Sequence, residues 1–243
     1  MTDVELAREI AHDAGVLLRN IRAASAHGLA LGDRGDRDAN TLILARLAAE
    51  RPDDFVLSEE SFDDRRRCDA SRVWIVDPLD GTRDYADGLD DWAVHIGLAI
   101  DGRPVIGAVA IPMLGRVYAT DDAPCPAPAF TRLRMAVSRT RCPALAERVA
   151  REMGADLVPM GSAGAKAMAV VDGRADIYLH AGGQYEWDNC APAAVALAAG
   201  LHVSRIDGAP LVYNCVNPLL PDLLICRAEL ADAVLGQVAR AIG

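Results

Sequence analysis

The sequence lacks any C-x-x-C pair and any histidine at zinc-ligand spacing, so its six cysteines, at positions 68, 125, 142, 190, 215 and 226, read as reduced thiols rather than a zinc module. A basic surplus is missing as well. Lys+Arg number 25 against Asp+Glu 35, a net charge of −10, whereas a partner of a nucleic-acid polymer needs a basic face to neutralise phosphates. No charged-then-apolar leader opens the chain, and no uninterrupted apolar run approaches the ~18–20 residues of a membrane span. The expectation is a cytoplasmic protein with no membrane partner. Internal repeats and low-complexity tracts are also absent. What remains is 243 residues, 51% hydrophobic and 25% charged, which suffices for one large core or two compact halves of a soluble globular protein.

Thr2-Asp3-Val4-Glu5 has the form of a capping box, and Leu6, Ile10, Ala14, Leu17, Leu18 and Ile21 recur at helical spacing, which predicts a helix to about residue 24. Residues 26–37, with three glycines, read as a polar loop, followed by a helix over residues 41–50. Asp36 falls just before that helix, where a cap or a first-turn acid is expected. Residues 55–58 predict a short strand ended by Glu59-Glu60, and residues 63–67 a charged surface loop. Residues 93–100 and 105–111 predict a β-hairpin turning at Asp101-Gly102-Arg103, with residues 117–119 extending its sheet. The proline-rich stretch 123–130 reads as a linker between an N-terminal α+β half, 1–122, and a C-terminal α/β half, 131–243. In the second half strands are predicted at 135–137, 157–158, 176–179 and 223–226. Helices are predicted at 144–153, 163–171, 187–199 and 230–242. Mixed β and α layers follow.

The most informative stretch is Trp74-Ile75-Val76-Asp77-Pro78-Leu79-Asp80-Gly81-Thr82. Residues 73–76 have the composition of a buried strand, and Pro78 and Gly81 predict that it stops there in a turn. That turn displays Asp77 and Asp80, with Gly81 letting backbone come close to whatever lies there. Two like charges so placed repel unless one is protonated or a cation lies between them, and a hard divalent ion with oxygen ligands, magnesium first, is the natural remedy. A D-x-x-D pair by itself equally fits a turn cap.

The stretch resembles the D-P-[IL]-D-G-T motif of the inositol monophosphatase superfamily, metal-dependent phosphomonoesterases. Leu57-Ser58-Glu59-Glu60-Ser61 upstream and Glu186-Trp187-Asp188 downstream stand in the superfamily's order and spacing. The resemblance implies an α/β (α+β) fold of α-β-α-β-α layers with the site between the halves. It implies one magnesium held by Glu59, Asp77 and the Leu79 carbonyl, a second held by Asp77, Asp80 and Asp188, and a weaker third ion near Glu59. Lithium and calcium are implied inhibitors. The catalytic group would be Asp36, Thr82 and Glu59, with Thr82 orienting the attacking water and Asp36 accepting a proton or hydrogen bond from that pair.

Beyond the shared motif, Arg83-Asp84-Tyr85, Leu57-Ser58, Val137-Ser138-Arg139 and Gly161-Ser162 with Lys166 are similar to the CysQ-type 3'-phosphoadenosine 5'-phosphate phosphatase branch, the 3'(2'),5'-bisphosphate nucleotidases. A bisphosphorylated substrate needs cations for its second phosphate, and Arg83, Arg139, Arg141, Lys166 and Arg174 form the pool. The implied substrate-binding set is Asp80, Gly81, Thr82, Arg83, Ser138, Arg139, Arg141, Ser162, Lys166 and Asp188. The implied activity is magnesium-dependent removal of the 3'-phosphate of 3'-phosphoadenosine 5'-phosphate, extending to 3'-phosphoadenylyl sulphate, which leaves open a role in sulphur assimilation. Inositol 1-phosphate or fructose 1,6-bisphosphate phosphatase is the alternative within the same chemistry, and a non-catalytic metal-binding protein the alternative outside it. A small phosphorylated anion is the expected partner, and a homodimer is common in the inositol branch.

Overall fold

The computed structural model describes residues 1–25, 28–124 and 132–242. Thr2 caps α1 (Asp3–Ala23): its hydroxyl accepts the Glu5 N–H at 3.3 Å, and the Glu5 carboxylate accepts the Thr2 N–H at 2.7 Å. The stripe Leu6, Ile10, Ala14, Leu18 and Ile21 is buried. The next helix departs from expectation. α2 (Leu29–Glu50) begins at Leu29 rather than near Thr41, so the stretch read as loop is mostly helix; Ala26 and His27 lie outside the described residues. Glycine lowers helix propensity by about 1 kcal/mol against alanine, but here close packing decides. A Cβ on Gly32 would stand 2.8 Å from Thr82 Cγ2, and one on Gly35 3.0 Å from Leu79 Cδ2. Asp36 is therefore buried inside the helix and is not its cap.

The first sheet contains β1 (Phe55–Ser58), β2 (Arg72–Asp80), β3 (Ala93–Ile100), β4 (Arg103–Ile111) and β5 (Arg116–Ala119), in that spatial order. β1 runs parallel to β2 and the other pairs are antiparallel. The β3–β4 turn places Asp101 at φ 49° and Gly102 at φ 73°, the left-handed pair that a tight hairpin requires. A short helix, α3 (Thr82–Ala86), which the sequence pattern did not disclose, follows β2.

The rest of the chain runs β6 (Arg134–Ser138), α4 (Ala144–Met153), β7 (Asp156–Met160), α5 (Ala163–Val171), β8 (Ile177–Tyr185), α6 (Glu186–Ala198), β9 (His202–Ser204), β10 (Leu219–Cys226) and α7 (Ala231–Ile242). The second sheet has the order β7-β6-β8-β10-β9, parallel across β7-β6-β8 and antiparallel beyond. α1 and α2 cover one face of the first sheet, α5 and α6 fill the space between the sheets, and α4 and α7 cover the far face of the second. This is the α-β-α-β-α layering. Gly107 of β4 lets α6 lie directly on the first sheet, since a Cβ there would stand 2.3 Å from the Ala191 carbonyl.

Residues 125–130 of the expected 123–130 linker lie outside the described residues. The 63–67 segment, expected as plain surface, is an anchor instead. Arg67 is buried, and its guanidinium donates to Asp63, to Asn214 Oδ1 at 2.8 Å and to the Cys215 carbonyl at 3.1 Å. The five described cysteines are free, Cys125 lying outside that set, and among the described residues no helix is long and apolar enough to cross a membrane.

Candidate active site

β2 does not stop at Val76; it continues through Asp80 by way of a bulge. Asp77 pairs with His95 and Asp80 with Ala93, so Pro78 and Leu79 together oppose Val94 alone. In a regular strand, side chains three residues apart point to opposite faces. The extra residue brings both carboxylates to the same side, and Pro78, having no N–H, fits where the ladder is interrupted. Asp77 also accepts the Leu79 N–H at 3.0 Å. Gly81, at φ 90°, then swings the chain into α3, where the Thr82 hydroxyl donates to the Leu79 carbonyl at 3.0 Å and lies 3.5 Å from Asp36 Oδ1.

α6 delivers the third acid. Glu186, fully buried, pins the helix start by accepting the N–H groups of Asn214 at 2.7 Å and Cys215 at 2.8 Å. Asp188, in the first turn, accepts the Tyr185 N–H. Ligand atoms of Asp77, Asp80 and Asp188 lie within 4.8 Å of one another. Glu59 stands beside this trio, its carboxyl in hydrogen-bonding reach of Asp77, at the end of β1. Asn40 fixes that turn by accepting from Ser58 Oγ at 2.8 Å and donating to Ser61 Oγ at 3.1 Å.

Burial, then Glu59 and Asp80 as neighbouring charges, push Asp77 well above the usual carboxylate range. Burial with the charges of Asp188 and Asp80 pushes Glu59 up to about 7, burial with Asp80 pushes Asp188 up to about 6, and burial with Glu60 and Glu59 pushes Asp36 up to about 7. Asp80 goes the other way. Burial would raise it too, but His95, Lys166 and the Ser162 hydroxyl hold it below the usual range. Hard oxygen donors that converge yet resist joint ionisation fit one or more divalent cations, which remove the repulsion.

Glu59, Asp77, Asp80 and Asp188 line a cavity of about 620 Å³, which Gly81, Arg83, Ser138, Arg141, Ser162 and Lys166 also line. Asp36 is outside that lining and meets the site through Thr82. The cation pool is not uniformly available. Arg139 lines the cavity but is bound on both sides by Asp84 and Asp91. Lys166, the one lysine of the chain, is buried and donates to the carbonyls of Gly161, at 3.0 Å, and Ser162. Burial lowers it to about 8 against the pull of Asp80 and Asp84. Arg174 pairs with Asp172 away from the cavity. Arg83 and Arg141 are exposed at the rim and have no carboxylate partner among the described residues. Ser162, at φ 46°, receives the Ala165 N–H at 3.0 Å and donates to Asp80, so Asp80 sits on the start of α5 and takes the Gly164 N–H at 2.7 Å.

His95, which sequence reasoning passed over, is fully buried between Asp80 and the Trp187 carbonyl, 3.0 Å from its Nδ1. Its signal was a lone imidazole inside an otherwise apolar strand. Gly164 makes room for the ring, since a Cβ there would stand 2.1 Å from Nε2.

The Inositol monophosphatase family model matches residues 11–125 and 128–241. A protein of Mycobacterium bovis named 3'-phosphoadenosine 5'-phosphate phosphatase is 54% identical over 241 residues, covering 94% of this chain and 90% of the relative. One of the same name from Mycobacterium leprae is 52% identical over 256 residues, covering 98% and 94%. Among solved structures, CysQ from Bacteroides thetaiotaomicron superposes with a TM-score of 0.80 at 25% identity, covering 93% of this chain and 97% of the other.

Proposed function

The chain belongs to the inositol monophosphatase family, and from that premise we propose that it is a magnesium-dependent phosphatase removing the 3'-phosphate of 3'-phosphoadenosine 5'-phosphate to leave AMP. The observation that carries the reading is the convergence of Asp77, Asp80 and Asp188 in a cavity with two arginines at its rim that have no carboxylate partner among the described residues. Glu59, Asp77 and the Leu79 carbonyl would hold one ion, and Asp77, Asp80 and Asp188 a second; a third, weaker ion near Glu59 and inhibition by lithium and calcium belong to the same reading. When bound, the metal lowers the pKa of water and neutralises phosphoryl charge.

The chain's own groups do the rest. The Thr82 hydroxyl stands 3.0 Å from the Leu79 carbonyl and 3.5 Å from Asp36 Oδ1, and its one proton can go to either. Turned to Asp36, it relays: Thr82 takes a proton from the attacking water as it passes its own to the Asp36 carboxylate, whose raised pKa suits it to accept. Arg83 and Arg141 offer charge-assisted hydrogen bonds to the 5'-phosphate, while Lys166 acts through its charge. Arg139 would first have to leave two carboxylates.

The test is a comparison of kcat/KM, with magnesium, for 3'-phosphoadenosine 5'-phosphate, inositol 1-phosphate and fructose 1,6-bisphosphate. The nucleotide should lead. Inositol 1-phosphate as the best substrate would overturn the nucleotidase reading and leave the phosphatase reading standing.

A further inference from the structure

Tyr185, the last residue of β8, and Trp187, in the first turn of α6, stack with ring centroids 4.7 Å apart and planes inclined by 9°. Both line the cavity. Trp187 is the inner layer: it packs against the core between the sheets, and its carbonyl is held by His95. Tyr185 is the outer layer, with 45% of its surface exposed. One face of its ring is covered by the indole, and the other has no aromatic neighbour among the described residues. A large, rigid ring left open at a cavity rim costs hydration free energy unless something covers it, and a planar heteroaromatic ring extends a parallel stack at little entropic cost.

Position selects the occupant. Tyr185 precedes Asp188 by three residues at a helix start, so the two stand about one turn, ~5 Å, apart along the axis. A ribose bridges such a span between a phosphate at Asp188 and a base at Tyr185. The geometry points to Tyr185, backed by Trp187, as the platform on which the base of a nucleotide substrate stacks. This inference rests on the nucleotidase reading. It gives the adenine moiety a contact that neither the metal ligands nor the rim arginines supply, and makes Tyr185 a determinant of nucleotide over sugar phosphate.

Stacking is made in the ground state and the transition state alike, so it should enter KM rather than kcat. The experiment compares 3'-phosphoadenosine 5'-phosphate with its base-free analogue, a 3,5-bisphosphorylated anhydroribitol, on wild type, Tyr185→Phe and Tyr185→Ala. Wild type and Tyr185→Phe should show a KM for the nucleotide about tenfold below that for the analogue. Tyr185→Ala should lose that advantage, with kcat for both compounds held within about twofold. The Tyr185 N–H that orients Asp188 is backbone and survives both substitutions. Equal KM values in wild type, an undiminished preference in Tyr185→Ala, or a loss shared equally by both compounds would each overturn the platform while leaving the nucleotidase reading intact. A wild-type protein that does not turn over the nucleotide overturns both.

Discussion

His95 Nε2 lies 3.2 Å from Asp80 Oδ2, and because the approach is off the hydrogen-bond direction the contact is one of charge. Burial favours the neutral imidazole, but Asp80 raises the His95 pKa above its ordinary value. Replacing it by His95→Gln leaves the Asp80 carboxylate buried without its nearest counter-charge. The expected loss is on the order of 3 kcal/mol, or roughly 6–12 °C in Tm, near neutral pH without metal. In the double variant with Asp80→Asn most of that loss should return, and strict additivity of the two effects would show that the contact contributes nothing.

Asp77→Asn should abolish nearly all activity while leaving the metal-free fold at least as stable as wild type. The substitution removes a group whose ionisation burial, Glu59 and Asp80 all oppose. Magnesium should raise the Tm of wild type and fail to raise that of the variant, which thermal melts with and without metal would read directly.

Metal-free stability should fall between pH 5 and pH 8. Asp36 and Glu59 are pushed up to about 7 from 3.8 and 4.5, and Asp188 to about 6 from 3.8. An acid whose folded pKa lies above its unfolded one stabilises fully below the unfolded value, and that contribution is lost as pH rises through the folded value. The raised His95 acts in the same direction, because its contribution also fades as pH rises. Carboxylates held low, such as Asp3 and Asp222, contribute above their unfolded pKa and are fully ionised throughout this window. Melts in a chelator should therefore show a lower Tm at pH 8 than at pH 5, and saturating magnesium should shrink or reverse the difference.

Arg83 and Arg139 should separate in kinetics. Arg83 stands at the rim with no carboxylate partner among the described residues, so Arg83→Ala should lower kcat/KM for the bisphosphorylated nucleotide about tenfold, with little effect on inositol 1-phosphate. Arg139 ties Asp84 to Asp91, so Arg139→Ala should lower both substrates together and reduce Tm as well.

The carboxylates of the site were legible because a motif with proline and glycine at fixed places marks them. The way they converge was not. A strand carrying Pro78 reads as ending, and only pairing with β3 shows that the proline occupies a bulge that turns Asp80 to the side of Asp77. Gly32 and Gly35 read as loop because propensity is local, whereas the side chains that require their small size, Thr82 and Leu79, lie far along the chain. Arg67 has the same history: in a run of charges it reads as solvent-facing, and its partner Asn214 is 147 residues away. Pairings at that distance leave no periodic trace in a single sequence. The helices α4 and α5 were clearer, because they follow from the local run of apolar residues and their bounds agree with expectation.

The lysine beneath the cavity has a consequence for proteolysis. A lysine-specific protease has one peptide bond to cut in this chain, the one after Lys166, and that bond lies in the middle of α5, a helix buried along its whole length between the two sheets. The folded protein should resist such a protease until α5 comes away from its neighbours, and then yield two pieces, 1–166 and 167–243. The rate of that one cleavage measures how often the central layer opens, and ligands that bridge Asp77, Asp80 and Asp188 should slow it by holding α6 against the first sheet.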